Sequence, residues 1–138
     1  MTRPTLTVLI AALGLAATAC SRSEPPQSAS TTAAVPGPGD AERGRRVFGA
    51  CRSCHAVEGG IGRVGPSLFA VVDRPAARTP TYAYSKAMQA SGLVWTEAEL
   101  DAYLENPRAR VPGTKMSFAG VSDPQARRDV IAYLATLK

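Results

Sequence analysis

The chain has 138 residues, 6% of them aromatic, and 16 Lys and Arg against 11 Asp and Glu give it a formal net charge of +5. This length allows one modest domain with tails, and so few aromatic side chains leave a poor core unless a bound group adds apolar surface. The mild basicity could suit nucleic acid, but no run of Lys or Arg exceeds two and no nucleic-acid-binding motif occurs, so we expect no such partner.

Residues 1–19 have the pattern of a signal peptide. Arg3 gives a weakly positive start, and the apolar run at 6–19 is too short to span a bilayer of about 30 Å as a helix. Two interpretations of the end of this signal peptide remain open. The Ala-Thr-Ala of residues 17–19 fits a cleavage site that would release a soluble periplasmic protein, whereas the same residues followed by Cys20 resemble a bacterial lipoprotein box.

The number of cysteines favours lipidation at Cys20. The chain has 3 Cys, and two of them stand together in a motif at residues 51 and 54, which leaves Cys20 alone. A lone thiol in an oxidising compartment is prone to stray intermolecular pairing, and lipidation removes it. A diacylated and N-acylated Cys would anchor the protein on the periplasmic side of a bacterial membrane.

The segment from 20 to 39, which begins with the lipidated Cys, is a linker rich in Pro, Ser and Ala. It holds almost no large apolar side chain, so it cannot bury a core and is expected to be disordered. A flexible chain of this kind would let a folded domain at residues 40–138 swing between partners near a membrane.

Residues 40–138 predict an all-α domain of four or five helices, without an alternating strand pattern. Gly44 inside the first helix suggests close approach by another helix, because Gly is otherwise costly there. Thr96 with Glu99 forms a capping box, and Ser122 or Asp123 caps the last helix. The helices that these signals delimit lie at about residues 40–50, 84–90, 97–106 and 124–137.

Directly after the first helix stands Cys51-Arg52-Ser53-Cys54-His55. C-x-x-C-H is the attachment pattern of a c-type haem: the two thiols bind the macrocycle covalently and the His ligates the iron. A zinc or thioredoxin-like site fits poorly, since no other Cys or His occurs in the domain and no βαβ pattern is present.

Met116, in a Pro-Gly-Thr-Lys-Met loop, is the candidate for the second iron ligand. Its soft thioether favours ferrous iron and raises the reduction potential relative to two imidazoles. Met88 has no such setting and is expected to be core filler.

The domain resembles the class I cytochromes c, the small mitochondrial and bacterial carriers, over residues 40–138. The stretch 106–120 behind the C-x-x-C-H motif is the most specific part. Further matching positions are Gly44, Phe48, residues 64–68, Arg74, residues 82–85, Trp95, Tyr103, Leu104, Tyr133 and Leu134. The resemblance implies an all-α class I cytochrome c fold of 4–5 helices wrapped around one covalently attached haem c.

The resemblance also implies roles for individual residues. The Pro66 carbonyl would accept the Nδ1 proton of His55 and leave Nε2 for iron. Tyr103 and Thr114 would lie near the Met116 sulfur and a propionate. Arg74, Tyr84 and Trp95 would hold the haem propionates. For Tyr84 and Trp95, the alternative is an ordinary core aromatic with a polar tip. Met88 replaces the polar Asn common in the family.

Two strong iron ligands leave no open position, so we expect a monomeric electron carrier and not an enzyme. Basic residues near the haem edge would steer acidic redox partners, such as a quinol–cytochrome c reductase and a terminal oxidase or photosynthetic centre. The candidates for this role are Arg52, Arg63, Lys86, Arg110 and Lys115. Two alternatives stay open: a fixed haem subunit of a larger oxidoreductase, and a haem enzyme or gas sensor with a displaceable Met116.

Overall fold

The computed structural model describes residues 37–138, which form five α-helices and one short 3-10 helix. The elements are α1 (Ala41–Val47), the 3-10 helix Phe48–Ala50, α2 (Lys86–Ala90), α3 (Glu97–Glu105), α4 (Pro107–Arg110) and α5 (Pro124–Ala135). Strand pairing in this part of the chain is limited to an isolated bridge between Pro75 and Val94. The predicted all-α fold class is confirmed.

The predicted signal peptide, Cys20 and most of the predicted linker lie outside the described residues. The last three linker residues do not: Gly37 O accepts a bond of 3.0 Å from Arg128 Nε, and Pro38 O accepts one of 3.2 Å from Gln125 Nε2. A Cβ on Gly39 would overlap the backbone carbonyl of Arg128. Contacts with α5 therefore begin before Asp40, where the sequence analysis placed the start of the domain. Among residues 37–138, no helix combines the length and apolar character that crossing a bilayer requires.

Each α-helix begins at a side chain that accepts a backbone N–H of the first turn, which satisfies one of the donors that a helix start leaves free. These caps are Asp40, Ser85, Thr96, Asn106 and Asp123. The second helix thus begins at Lys86, two residues later than predicted. Asn106 ends α3 and at once caps α4, a helix that the sequence analysis missed because it took the following Pro107 as a stop.

The predicted capping box at the start of α3 is only half formed. Thr96 Oγ1 accepts from the Glu99 N–H at 3.2 Å, as a box requires. The Glu99 carboxylate does not return to the Thr96 N–H; it accepts a bond of 2.8 Å from Arg110 Nη2. The Arg110 guanidinium, at the end of α4, thus replaces the Thr96 N–H as the donor to the Glu99 carboxylate.

The close crossing of α1 and α5 is the main helix–helix contact of the domain. Gly44 is buried, and a Cβ there would overlap the backbone carbonyl oxygen of Asp129. Next to it the rings of Phe48 and Tyr133 pack with centroids 5.3 Å apart. The close helix approach that Gly44 predicts is therefore present.

A buried carboxylate fixes the same crossing. The Asp129 side chain is 5% exposed and accepts from Asp40 N–H at 2.9 Å, Arg43 Nε at 2.8 Å and Gln125 Nε2 at 2.9 Å. The bond from the Arg43 guanidinium, more than any other contact, holds the pKa of Asp129 well below its ordinary range. Asp129 therefore stays charged and ties the first helix to the last.

Candidate haem-binding site

A mostly apolar cleft of about 320 Å³ opens between the helices and the loops. The helices contribute apolar side chains, among them Phe48, Leu100 and Val130, and the loops contribute the polar ones. Every residue that the sequence analysis assigned to the cofactor lines this cleft: Cys51, Cys54, His55, Pro66, Arg74, Tyr84, Trp95, Tyr103, Thr114 and Met116. Its volume is in the range of cofactor pockets.

Helical turns bring the two thiols and the imidazole to one wall. The Cys54 N–H bonds the Cys51 carbonyl at 3.0 Å and the His55 N–H bonds the same carbonyl at 2.9 Å. Positions three and four residues apart share a face in such a turn. Neither cysteine forms a disulfide, and both are partly exposed and line the cleft. Their positions fit the covalent attachment that the motif predicts.

The His55 ring is held by the loop that follows it. Nδ1 lies 2.8 Å from the Pro66 carbonyl oxygen, the contact that the resemblance implies. A carbonyl can only accept, so Nδ1 carries the proton and Nε2 keeps the lone pair that a metal needs. The loop closes because Gly65 N–H bonds the Cys54 carbonyl at 2.8 Å, and a Cβ on Gly65 would lie 2.8 Å from Nδ1. Only Gly leaves room there for the ring.

The Met116 sulfur lies beside the hydroxyl group of Tyr103, which is bonded to that of Thr114. Tyr103, on α3, has its hydroxyl 3.7 Å from the sulfur and 3.1 Å from Thr114 Oγ1. The Met116 N–H also bonds Thr114 Oγ1, at 3.3 Å. Burial raises the pKa of Tyr103, so the phenol stays a neutral donor at ordinary pH. Contacts within the protein thus orient the Met116 thioether. That it binds the iron stays a prediction.

The three residues predicted to hold propionates lie at the cleft, each with other contacts. Arg74 donates to the Phe69 carbonyl at 3.0 Å and to the Ser67 carbonyl at 3.1 Å, so it also braces the loop after Pro66. The Tyr84 hydroxyl accepts from the Thr79 N–H at 3.4 Å, and the Trp95 ring packs 4.9 Å from the Tyr103 ring. Both the propionate role and the core role of the aromatics are compatible with these positions.

The sequence analysis gave no role to Ser67 or Tyr82, and it treated Lys115 only as a surface charge. Ser67 is 5% exposed, and its hydroxyl donates to the Glu58 carbonyl at 2.7 Å, which closes the loop below His55. Tyr82 and Lys115 line the rim of the cleft. Their only sequence signal is their place inside the matching stretches 64–68, 82–85 and 106–120. Met88 is 7% exposed, and it both packs in the core and lines the cleft.

The site fits a covalently attached haem by its own chemistry. It offers two Cys side chains three positions apart, an imidazole whose Nδ1 is bonded so that Nε2 keeps its lone pair, a thioether beside the Tyr103 hydroxyl, and an apolar lining. The fold and the site together define a small all-α protein of the c-type haem class.

Comparisons with known proteins agree. The family model described as Cytochrome c matches residues 41–138. Cytochrome c of Euglena viridis is 45% identical over 101 residues, 72% of this chain and 99% of the relative. Cytochrome c2 of Rhodomicrobium vannielii is 53% identical over 100 residues, 71% of this chain and 79% of the relative.

A solved structure, cytochrome cH from Methylobacterium extorquens, aligns with a TM-score of 0.68 and 45% identity, covering 71% of this chain and 99% of that one. The chain therefore belongs to the cytochrome c family. It is a small electron carrier with one covalently attached haem c, for which Cys51 and Cys54 supply the attachment motif.

Proposed function

We propose that this cytochrome c carries single electrons between periplasmic or membrane-bound respiratory or photosynthetic partners, with His55 and Met116 as the iron ligands. One observation supports this most: an imidazole and a thioether line the same cleft, each oriented by a hydrogen bond, to Pro66 O at 2.8 Å and from Tyr103 at 3.7 Å. When bound, the haem supplies an iron that changes oxidation state by one electron.

The residues of the chain would contribute by holding the haem and its iron ligands in fixed positions. Cys51 and Cys54 attach the group, and the Pro66 carbonyl keeps the His55 ring in one tautomer. Tyr103 donates to the Met116 sulfur, and Thr114 Oγ1 accepts from the Met116 N–H. The apolar lining excludes water around the site. Ligands fixed in this way need little rearrangement between oxidation states, which favours fast electron transfer.

The same geometry counts against the enzyme or gas-sensor alternative, since the Tyr103 hydroxyl holds the Met116 sulfur inside the cleft and the Met116 N–H is tied to Thr114. Carbon monoxide tests this point. The reduced native protein should not bind it at neutral pH, and ready binding would favour the sensor. Absence of reversible one-electron oxidation would refute the carrier proposal itself.

Basic side chains near the cleft are suited to acidic partners such as a quinol–cytochrome c reductase and a terminal oxidase or photosynthetic centre. The cleft reaches the surface at Val64, which is 77% exposed. Arg52 and Arg63 line a second groove beside His55, and Lys115 lies on the rim of the cleft. Arg110 is a weaker candidate than the sequence suggested, because Glu99 pairs with it at 2.8 Å.

Salt dependence of the reaction tests this docking surface. Reduction by a purified quinol–cytochrome c reductase should slow as ionic strength rises, and Arg63→Gln should lower the rate constant about twofold at low salt. Arg45→Gln, which removes an equal charge that pairs with Glu42 on α1, is the matched control and should have little effect. Equal rates at low and high salt would contradict docking on these charges.

We also propose that Cys20 is lipidated after removal of residues 1–19, so that the protein is a membrane-anchored lipoprotein, and that the following linker tethers the domain. The support is the lipoprotein-like box and the unpaired third Cys of the sequence. Intact mass of the native protein reports haem and acyl chains together. Cleavage behind Ala19 with a free Cys20 would instead indicate a soluble periplasmic form.

A further inference from the structure

The Pro66 carbonyl depends on its neighbours for its direction, because proline has no backbone N–H that could fix the residue. Within residues 37–138, the bond to His55 is the only hydrogen bond that Pro66 makes. On one side of it the Gly65 N–H bonds the Cys54 carbonyl at 2.8 Å. On the other side stands Ser67, whose contacts reach farther along the chain.

Ser67 is held by both its side chain and its backbone. It is 5% exposed, and its hydroxyl donates to the Glu58 carbonyl at 2.7 Å and accepts from the Phe69 N–H at 3.1 Å. Its own carbonyl accepts from Arg74 Nη2 at 3.1 Å. The hydroxyl thus joins the two ends of the stretch 58–67 and turns the chain directly after Pro66.

The stretch that Ser67 closes has little packing to hold it. A Cβ on Gly60 or on Gly62 would meet nothing within 4 Å, and Ile61 is 48% exposed. Since side-chain packing does not fix this part of the loop, hydrogen bonds at its ends must do so. The buried Ser67 hydroxyl lies at the end next to Pro66.

We infer that Ser67 is a positioning residue that holds the Pro66 carbonyl on His55 Nδ1 and thereby sets how strongly the imidazole donates to the iron. This inference rests on the proposed ligation of iron by His55. A firm bond from Nδ1–H to a carbonyl makes the opposite ring nitrogen a stronger donor, which favours ferric iron. Without the Ser67 hydroxyl, the Glu58 carbonyl and the Phe69 N–H lose a partner, and the loop that carries Pro66 opens more easily.

Exchange of the His55 Nδ1 proton with deuterium tests this in the reduced holoprotein. NMR follows the proton, which exchanges only when its bond to Pro66 opens. Ser67→Ala should speed this exchange about tenfold, because buried backbone groups are left unpaired. The reduction potential of Ser67→Ala should also lie above that of the parent, because the imidazole becomes a poorer donor to ferric iron.

Two controls separate this role from general effects. Ser91 Oγ donates to the Met88 carbonyl at 2.8 Å and accepts from the Leu93 N–H at 3.4 Å, the same pattern at the end of α2. Ser91→Ala should therefore stay within about twofold of the parent exchange rate. Asp129→Asn, which weakens the α1–α5 crossing, should also keep the parent rate if the opening is local.

An unchanged exchange rate or an unchanged potential in Ser67→Ala would overturn the inference, as would a control that exchanges as fast as Ser67→Ala. A parent protein whose His55 ring protons show no shift from the haem would instead refute ligation by His55.

Discussion

The α1–α5 crossing and the loops that line the cleft are held together in different ways. At the crossing, Gly44 lies against backbone and the buried Asp129 carboxylate accepts from three donors. The loops depend on isolated bonds, such as Ser67 to the Glu58 carbonyl and Tyr103 to the Met116 sulfur. Substitutions at the crossing should therefore change stability more than the haem site, and substitutions in the loops should do the reverse.

The largest expected effect on stability is at Gly44. Gly44→Ala places a Cβ against the Asp129 carbonyl and the Tyr133 Cβ, which forces the helices apart and should cost about 3 kcal/mol in the free energy of unfolding. Gly49→Ala is the matched control, because a Cβ there meets nothing within 4 Å. Guanidinium unfolding measures both variants, and equal stabilities would show that the crossing is looser than described.

A smaller loss is expected from Asp129→Asn, about 2 kcal/mol at neutral pH, because the bonds from Asp40, Arg43 and Gln125 lose their charged acceptor. Glu42→Gln, on an exposed pair with Arg45 at 3.5 Å, should cost less than about 0.5 kcal/mol.

The pH dependence of the same variant sharpens the prediction. The pKa of Asp129 is lower in the folded protein than its ordinary 3.8, so the carboxylate stabilises the fold above that pH, and this contribution is lost as the pH falls below about 4. Unfolding curves from pH 7 down to pH 3 should therefore show a smaller acid-induced loss for Asp129→Asn than for the parent. Parallel losses would place the acid-sensitive group elsewhere.

The smallest effect on stability is expected in the loops, but it should be visible at the iron. Gly65→Ala brings a Cβ to 2.8 Å from His55 Nδ1, so the ring must move away from Pro66, at a cost of about 1 kcal/mol. The absorbance of the haem should change, whereas Gly62→Ala, in the same loop with open space around it, should match the parent. An unchanged spectrum in Gly65→Ala would mean that the Pro66 bond does not orient the ligand.

What the sequence predicts correctly is mostly local. Thr96 and Asp123 cap helices because a short polar side chain acts within its own turn, and Gly44 indicates close packing because little else favours Gly inside a helix. The all-α fold and the single cleft that gathers the assigned residues follow once the motif strings identify a family.

What the sequence does not predict depends on contacts between distant residues. Glu99 leaves its capping box for Arg110, eleven positions away, and Pro107 begins a helix instead of ending one because Asn106 turns to cap it. Lys115 Nζ lies 4.4 Å from the centroid of the Tyr82 ring, and neither residue shows this contact in its own sequence neighbourhood. The contacts of residues 37–39 with α5 also join the two ends of the domain.

The two methionines in the cleft allow the most direct test of the ligand assignment. Both Met88 and Met116 line it, but Met88 is buried in the core with its sulfur 3.9 Å from Ser91 Oγ of the same helix end, whereas the Met116 sulfur lies 3.7 Å from the Tyr103 hydroxyl on another helix. In the oxidised holoprotein, Met116→Ala should abolish the sulfur-to-iron absorbance band and Met88→Ala should retain it. Retention of the band in Met116→Ala, or its loss in Met88→Ala alone, would contradict iron held by His55 and Met116.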